Sequence, residues 1–242
     1  MTIWHLHLLN ARNALTGNMS AIRATLRESV AMVDDHVDLP RFDLVLRAGD
    51  AVIPDWGIGG QSPAPGVIEI TLMPERFSVE HLQRTLVHEL HHLLRWEGPG
   101  YGLSLGEALV SEGLAGHFVL QILGGAPDPW DAVRPGPGTL KQAGHLWARR
   151  DFDFPEWFLG RGKVRKWTGY GIGHRLVAEH LAQAPEADAA SLAWTPADIF
   201  RPALRRLTAV EGEAEDDVAD ADEGPVASRD AGGPAPRTPL DS

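Results

Sequence analysis

The sequence predicts an α+β fold: a small N-terminal mixed α/β part with a short sheet, then a mainly helical part. Three observations predict it. Polar and apolar residues alternate in "RFDLVLRAGDAVIP", with Phe42, Leu44 and Leu46 on one side and Asp43, Val45 and Arg47 on the other. From Ser78 onward the apolar residues recur at three- and four-residue steps instead. After Ala209 the composition turns acidic and rich in Pro, Gly and Ala, with few large apolar residues. The 242 residues therefore divide into one domain, residues 1–208, and a tail, 209–242, expected to be disordered because it cannot bury enough surface to offset its ordering entropy.

The elements follow in order. In "WHLHLL", His5 and His7 share one face of a strand; with no third ligand in sight they read as polar packing. Asn18 to Val33 reads as a helix, with Ile22, Leu26, Val30 and Val33 on one side. "DWGIGGQSPAPG" reads as a turn-rich loop. Its glycines do not make a phosphate loop, because a strand, "VIEITLMP", follows rather than a helix. Ser78 can cap a helix that runs to Trp96, where "EGPGYG" breaks it. A second helix is expected from Leu103 to Leu123, ended by Gly124 and Gly125. "APDPWDAVRPGPG" is a proline-rich connector, and helices resume at Leu140–Arg150 and Gly169–Ala182. The basic cluster from Gly160 to Lys166 reads as a solvated loop.

Charge and composition bound the function. The net charge is −11, but residues 209–242 hold ten acids against two arginines, so the other 208 residues carry only −3. Nothing in that balance points to a nucleic acid partner. No apolar run is long enough for a transmembrane helix, and the first residues lack the pattern of a secretory leader. There is no cysteine, so no thiolate can hold a metal; any metal must rest on His and carboxylates. Together these features fit a cytoplasmic protein.

"TLVHELHHLLRW", Thr85 to Trp96, carries the chemistry. On a helix, Leu82, Leu86, Val87, Leu90, Leu93 and Leu94 form one apolar arc. His88 and His92, four apart, stand one above the other on an adjacent face, and Glu89 points to its border. The pattern is His-Glu-x-x-His, whose two imidazoles can share one tetrahedral ion while the Glu lies beside water on that ion. The candidate third ligand is Glu112, on the apolar stripe of the next helix with Leu105, Ala108, Leu109, Ala115, Gly116 and Val119. A carboxylate there is costly to bury unless something positive meets it. The small neighbours would let the two helices approach closely. Glu107, five residues earlier, points about 140° away from Glu112; it remains the alternative ligand, as a structural ion pair remains the alternative role for Glu112. The metzincin extension is excluded, because it needs Gly at 95 and His at 98 where the chain has Arg95 and Gly98.

His88-Glu89-x-x-His92, followed by Glu112 after nineteen intervening residues, resembles the gluzincin metallopeptidases. More closely, "VHELHHLLR", "LVSEGLAGHF" and "WTGYGIGHRLVAEHL" resemble a bacterial family of predicted zinc-dependent proteases, the YjaZ-like family. The resemblance spans roughly Gly66 to Ala182 and implies a zincin-like fold. It implies that His88, His92 and Glu112 ligate one zinc per chain, with a fourth position for water. Glu89 would act as general base, then as proton donor to the leaving amine. "VIEITL" would be the edge strand to which a peptide substrate adds. Tyr170 would donate to the oxyanion, His174 could assist, and His81 could rim the site. One departure stands out: many gluzincins carry an Asp four residues after the Glu ligand, where this chain has Gly116. A partner for the zinc histidines must then come from elsewhere, Glu107 or a backbone carbonyl. The leading expectation is a zinc metallopeptidase acting on a peptide or protein, with no membrane partner. Two alternatives stand beside it: a zinc-dependent hydrolase of a small-molecule amide, and a zinc-containing scaffold or peptide-binding protein with little turnover. The oligomeric state is not legible in the sequence.

Overall fold

In a computed structural model, residues 2–222 are described, with side-chain surroundings as far as Gly212. Strands β1 (Trp4–Leu9), β2 (Phe42–Ala48), β3 (Ile58–Ala64) and β4 (Val67–Leu72) form one sheet in the order β1-β2-β4-β3. β1, β2 and β4 run parallel, and β3 lies antiparallel to β4. Parallel neighbours need a crossover, and helix α1 (Met19–Asp34) supplies it between β1 and β2. It buries Ile22, Leu26, Val30 and Val33, the stripe the periodicity predicts. Phe42, Leu44 and Leu46 of β2 are buried in turn.

The stretch expected to be a loop contains β3. Its residues, "IGGQSPA", have weak strand character of their own, and pairing with β4 decides the outcome (Ile58 opposite Leu72, Gly60 opposite Ile70). Pro65 and Gly66 make a two-residue turn between them. Proline sets the first turn position and Gly66 takes the left-handed φ of 72° that the second requires. A second correction follows. "VIEITL" is β4, an interior strand hydrogen-bonded on both sides, so the edge is β3 instead.

The helical part consists of α2 (Val79–Trp96), α3 (Leu105–Leu123), α4 (Thr139–Leu146), α5 (Phe154–Leu159), α6 (Thr168–Gln183) and α7 (Arg201–Asp222). Ser78 caps α2 by accepting the His81 amide. Ser104 and Glu107 form a reciprocal capping box on α3. The helix expected at Leu140–Arg150 ends at Leu146. Helix α5 was not expected; Asp153 caps it, Pro155 sits in its first turn and Gly160 closes it. Helix α7 runs into the stretch expected to be disordered, as far as Asp222, and residues 223–242 lie outside the described part. Ala and Glu are strong helix formers, and extending an existing helix needs no new nucleus. No described helix is long and apolar enough to cross a membrane.

Two apolar cores result. One joins the sheet to α1 and the aliphatic arc of α2. The other joins α3, α4, α6 and the start of α7. Helices α3 and α6 touch backbone to backbone: a Cβ on Gly113 would lie 2.2 Å from the Gly173 carbonyl oxygen, and one on Gly173 would lie 2.2 Å from that of Leu109. Gly113→Ala or Gly173→Ala should therefore cost about 1–3 kcal/mol or more in urea unfolding, since neither backbone can move aside. Gly144→Ala, whose new methyl would meet only a Leu204 methyl at 3.8 Å, should be neutral or stabilise its helix by up to about 1 kcal/mol.

Candidate metal centre

The centre lies at the seam between the two cores, where α2 faces α3. His88 and His92 project from α2 one turn apart, and Glu112 projects from α3 to meet them. All three are buried. His88 Nε2 is 3.1 Å from Glu112 Oε2, and His92 Nε2 is 3.0 Å from His88 Nε2 and 3.5 Å from Glu112 Oε2. A tetrahedral zinc with bonds of 2.0–2.1 Å needs donor atoms about 3.3 Å apart, so the spacing fits. Among the described residues these three form the one group of His and carboxylates able to hold a metal ion.

The electrostatics are those of an anion that demands a cation. Burial pushes the Glu112 carboxyl up, but the His92 and His88 imidazoles outweigh it and hold it far below the usual carboxylate range. Burial pulls His88 down, yet its hydrogen bond to Glu112 and the charges of Glu112, Glu89 and Asp131 raise it to about 9. A divalent cation would meet all three donor atoms at once.

Glu89 follows His88 and turns toward β3. Its Oε2 accepts a hydrogen bond from Ser62 Oγ at 3.0 Å. A Cβ on Gly60 would fall 2.7 Å from Glu89 Cγ and Oε1, so the carboxylate rests against bare strand backbone. Burial raises the Glu89 carboxyl, an effect only partly offset by His92 and His88. Tyr101, from the loop after α2, donates its hydroxyl to Glu112 Oε1 and packs its ring 5.0 Å from that of His92.

Two adjoining cavities open on these groups, about 520 Å³ and 1030 Å³, and Gly60, His88, Glu89, Leu159 and Tyr170 line both. Tyr170, on α6, therefore faces the centre, as the sequence suggests. Burial, with the nearby Glu112, Glu89 and Asp131, pushes its phenol well above the ordinary value. The remaining candidates lie elsewhere. The His174 ring pairs with His117 at 3.0 Å and lines neither cavity. His81 stacks on Trp56, ring centres 3.7 Å apart. Glu107 caps α3 instead, one oxygen accepting the Leu103 and Ser104 amides at 2.8 Å, and it makes no hydrogen bond to either histidine.

Sequence reasoning missed Tyr101, Ser62 and Gly60. Tyr101 has a faint signal, an aromatic residue between two glycines in a loop beside the metal helix. Ser62 and Gly60 have none, because their stretch carries no strand periodicity.

The sequence model of a family described as "Predicted Zn-dependent protease (DUF2268)" matches residues 20–201. The match begins in α1 and ends at the start of α7, so it includes β2, β3 and β4 but not β1, and reaches beyond the segment from Gly66 to Ala182 that carries the resemblance in sequence. No curated protein and no solved structure matches the chain.

Tyr101→Phe removes the hydroxyl that holds Glu112 while keeping the ring. Zinc affinity, measured by competition with a chromophoric chelator, should fall about tenfold or more, in keeping with the loss of a group that orients a ligand.

Proposed function

We propose that this chain, which belongs to the predicted Zn-dependent protease family, hydrolyses peptide bonds at the centre between α2 and α3. The observation that carries the reading is the convergence of His88 Nε2, His92 Nε2 and Glu112 Oε2 within 4.8 Å of one another, buried, with Glu89 alongside. These three residues would hold one zinc. When bound, zinc supplies Lewis acidity that acidifies water and polarises a carbonyl.

The chain's own groups do the rest. Glu89 takes the proton from the attacking water and later gives it to the leaving amine. Ser62 Oγ steers that carboxylate from one side, and the bare Gly60 leaves it room on the other. The Tyr170 phenol, which burial pushes further above its ordinary value, donates to the oxygen that gains charge as the carbonyl is attacked. Tyr101 fixes the Glu112 carboxylate in its ligating orientation.

The surroundings favour a peptide over a small amide. The Met73 amide bonds to the Gly57 carbonyl, and Gly59 faces Thr71 in the same register. In an antiparallel ladder the intervening residues then point outward. Two of these are already engaged, since the Ile58 carbonyl accepts from Ile53 and the Ser62 carbonyl from Trp96 Nε1. Gly60, between them, turns its amide and carbonyl to the open edge beside Glu89. An extended peptide can pair with it there. The smaller cavity, walled by Ile53, Ile58, Trp130, Leu159 and Trp167, suits a large apolar side chain next to the scissile bond.

Metal analysis of the full chain should give about one zinc per molecule. Glu89→Gln should retain it and lose about a hundredfold to ten-thousandfold in cleavage of a peptide library. His88→Ala should lose the metal. Metal without cleavage would favour a binding protein; cleavage of small amides alone would favour the other hydrolase. In active protein, cleavage sites should be enriched in large apolar residues on one side of the bond, and Trp130→Ala should weaken that preference about tenfold or more.

A further inference from the structure

The connector between α3 and α4 is held in place from α2. Arg84, one turn before His88, pairs with Asp128, Nε to Oδ1 2.5 Å, both side chains buried. Its two terminal nitrogens donate to the carbonyls of Ala126 at 2.9 Å and Gly124 at 3.3 Å. The Asp128 carbonyl in turn accepts the amides of Asp131 at 2.9 Å and Ala132 at 3.0 Å. This clamp fixes where Asp131 stands.

Asp131 is only 4% exposed, and neither of its carboxylate oxygens has a hydrogen-bond partner. It lies flat against the bare backbone of α3 one turn beyond Glu112: a Cβ on Gly116 would sit 2.6 Å from its Oδ2 and 3.0 Å from its Oδ1. A carboxylate buried in this way needs a partner. His88 has the matching deficit. Its Nδ1 is buried and unpartnered, and its Nε2 lies 3.1 Å from Glu112, one turn of α3 from the Gly116 that Asp131 covers. With Nε2 turned to the metal, Nδ1 must carry the imidazole proton and requires an acceptor.

We propose that Asp131 is that acceptor: a positioning carboxylate that receives the Nδ1 proton of His88, fixes its tautomer and ring orientation, and so sets zinc affinity. Gly116 is required because any side chain there would occupy the carboxylate's space. Arg84 acts at one remove, by clamping the connector. The proposal rests on the reading of His88 as a zinc ligand.

The test uses the full chain and a chelator competition for zinc, with the urea midpoint as a folding control. Asp131→Asn keeps shape and removes charge, and it should weaken zinc binding about ten- to a hundredfold. The relocation variant Gly116→Asp/Asp131→Ala supplies a carboxylate from α3 into the space Asp131 vacates. It should recover most of the affinity lost in Asp131→Ala, whereas Gly116→Ala/Asp131→Ala should not; a merely structural role for Asp131 would produce no such recovery. In unmutated, zinc-loaded protein with labelled histidine, the Nδ1 proton of His88 should resonate at low field and resist exchange with solvent. Zinc affinity within twofold of the original in folded Asp131→Asn, or a freely exchanging Nδ1 proton, would overturn the proposal. His88→Ala separates the two readings. If it leaves zinc binding intact, the metal centre itself is wrong; if it abolishes binding while Asp131→Asn does not, only the role of Asp131 falls.

Discussion

A carboxylate buried between two helices governs this structure. Glu112 is 4% exposed, and an ion so placed costs several kcal/mol unless opposite charge and hydrogen bonds meet it. The fold meets it from three directions. Helix α2 brings two imidazoles, the loop after α2 brings the Tyr101 hydroxyl, and α3 holds the carboxylate at the border of its own apolar core. Remove the two histidines and the seam between the cores would hold an unpaired charge. The chemistry proposed for the centre and the registration of α2 on α3 are thus one requirement seen from two sides.

The same seam supplies the groups proposed to carry the reaction. Glu89 leaves the helix at the next position after His88, so it points to the sheet rather than to α3. There it finds Ser62 and the bare backbone of Gly60. Tyr170 comes from α6, which reaches the centre only because Gly113 and Gly173 let α3 and α6 meet backbone to backbone. These two glycines, one of them next to Glu112 in the chain, therefore control the distance between a phenol and a carboxylate that are proposed to act on the same bond.

Much of this was legible in the residues. The four-residue step of His88 and His92, the apolar arc beside it and the anomalous Glu112 stripe all follow from helical geometry, and the structure brings the three side chains together. The strands with alternating residues appeared where expected. What escaped has a common cause. β3 is weak in local character and takes its form from pairing with β4, so neither its existence nor the edge it forms could be read from "IGGQSPA". The sequence assigns Ala108, Ala115 and Gly116 to close approach of α2; Gly116 instead admits Asp131, and Gly113, which carries no such signal, admits α6, contacts that depend on segments more than a dozen residues away. Tyr101 and Asp131 come from irregular stretches, where no period announces which way a side chain points. Helix α7 begins after a proline-bounded turn and continues into an acidic run whose composition argued for solvent.

The outer margin of β3 has a consequence for what can be processed. Neighbouring groups already cap it at Ile58 and at Ser62, so little more than one residue of bare ladder is left between them. On the proposed pairing, so short a dock would discriminate by shape before it discriminates by sequence. A target still wound in a helix or locked within its own sheet would offer no complementary backbone, and only a segment that had frayed loose could lie down beside Gly60. Turnover would then track how often a target's local structure opens, making the conformational slack of a client, more than its residues, the first thing selected.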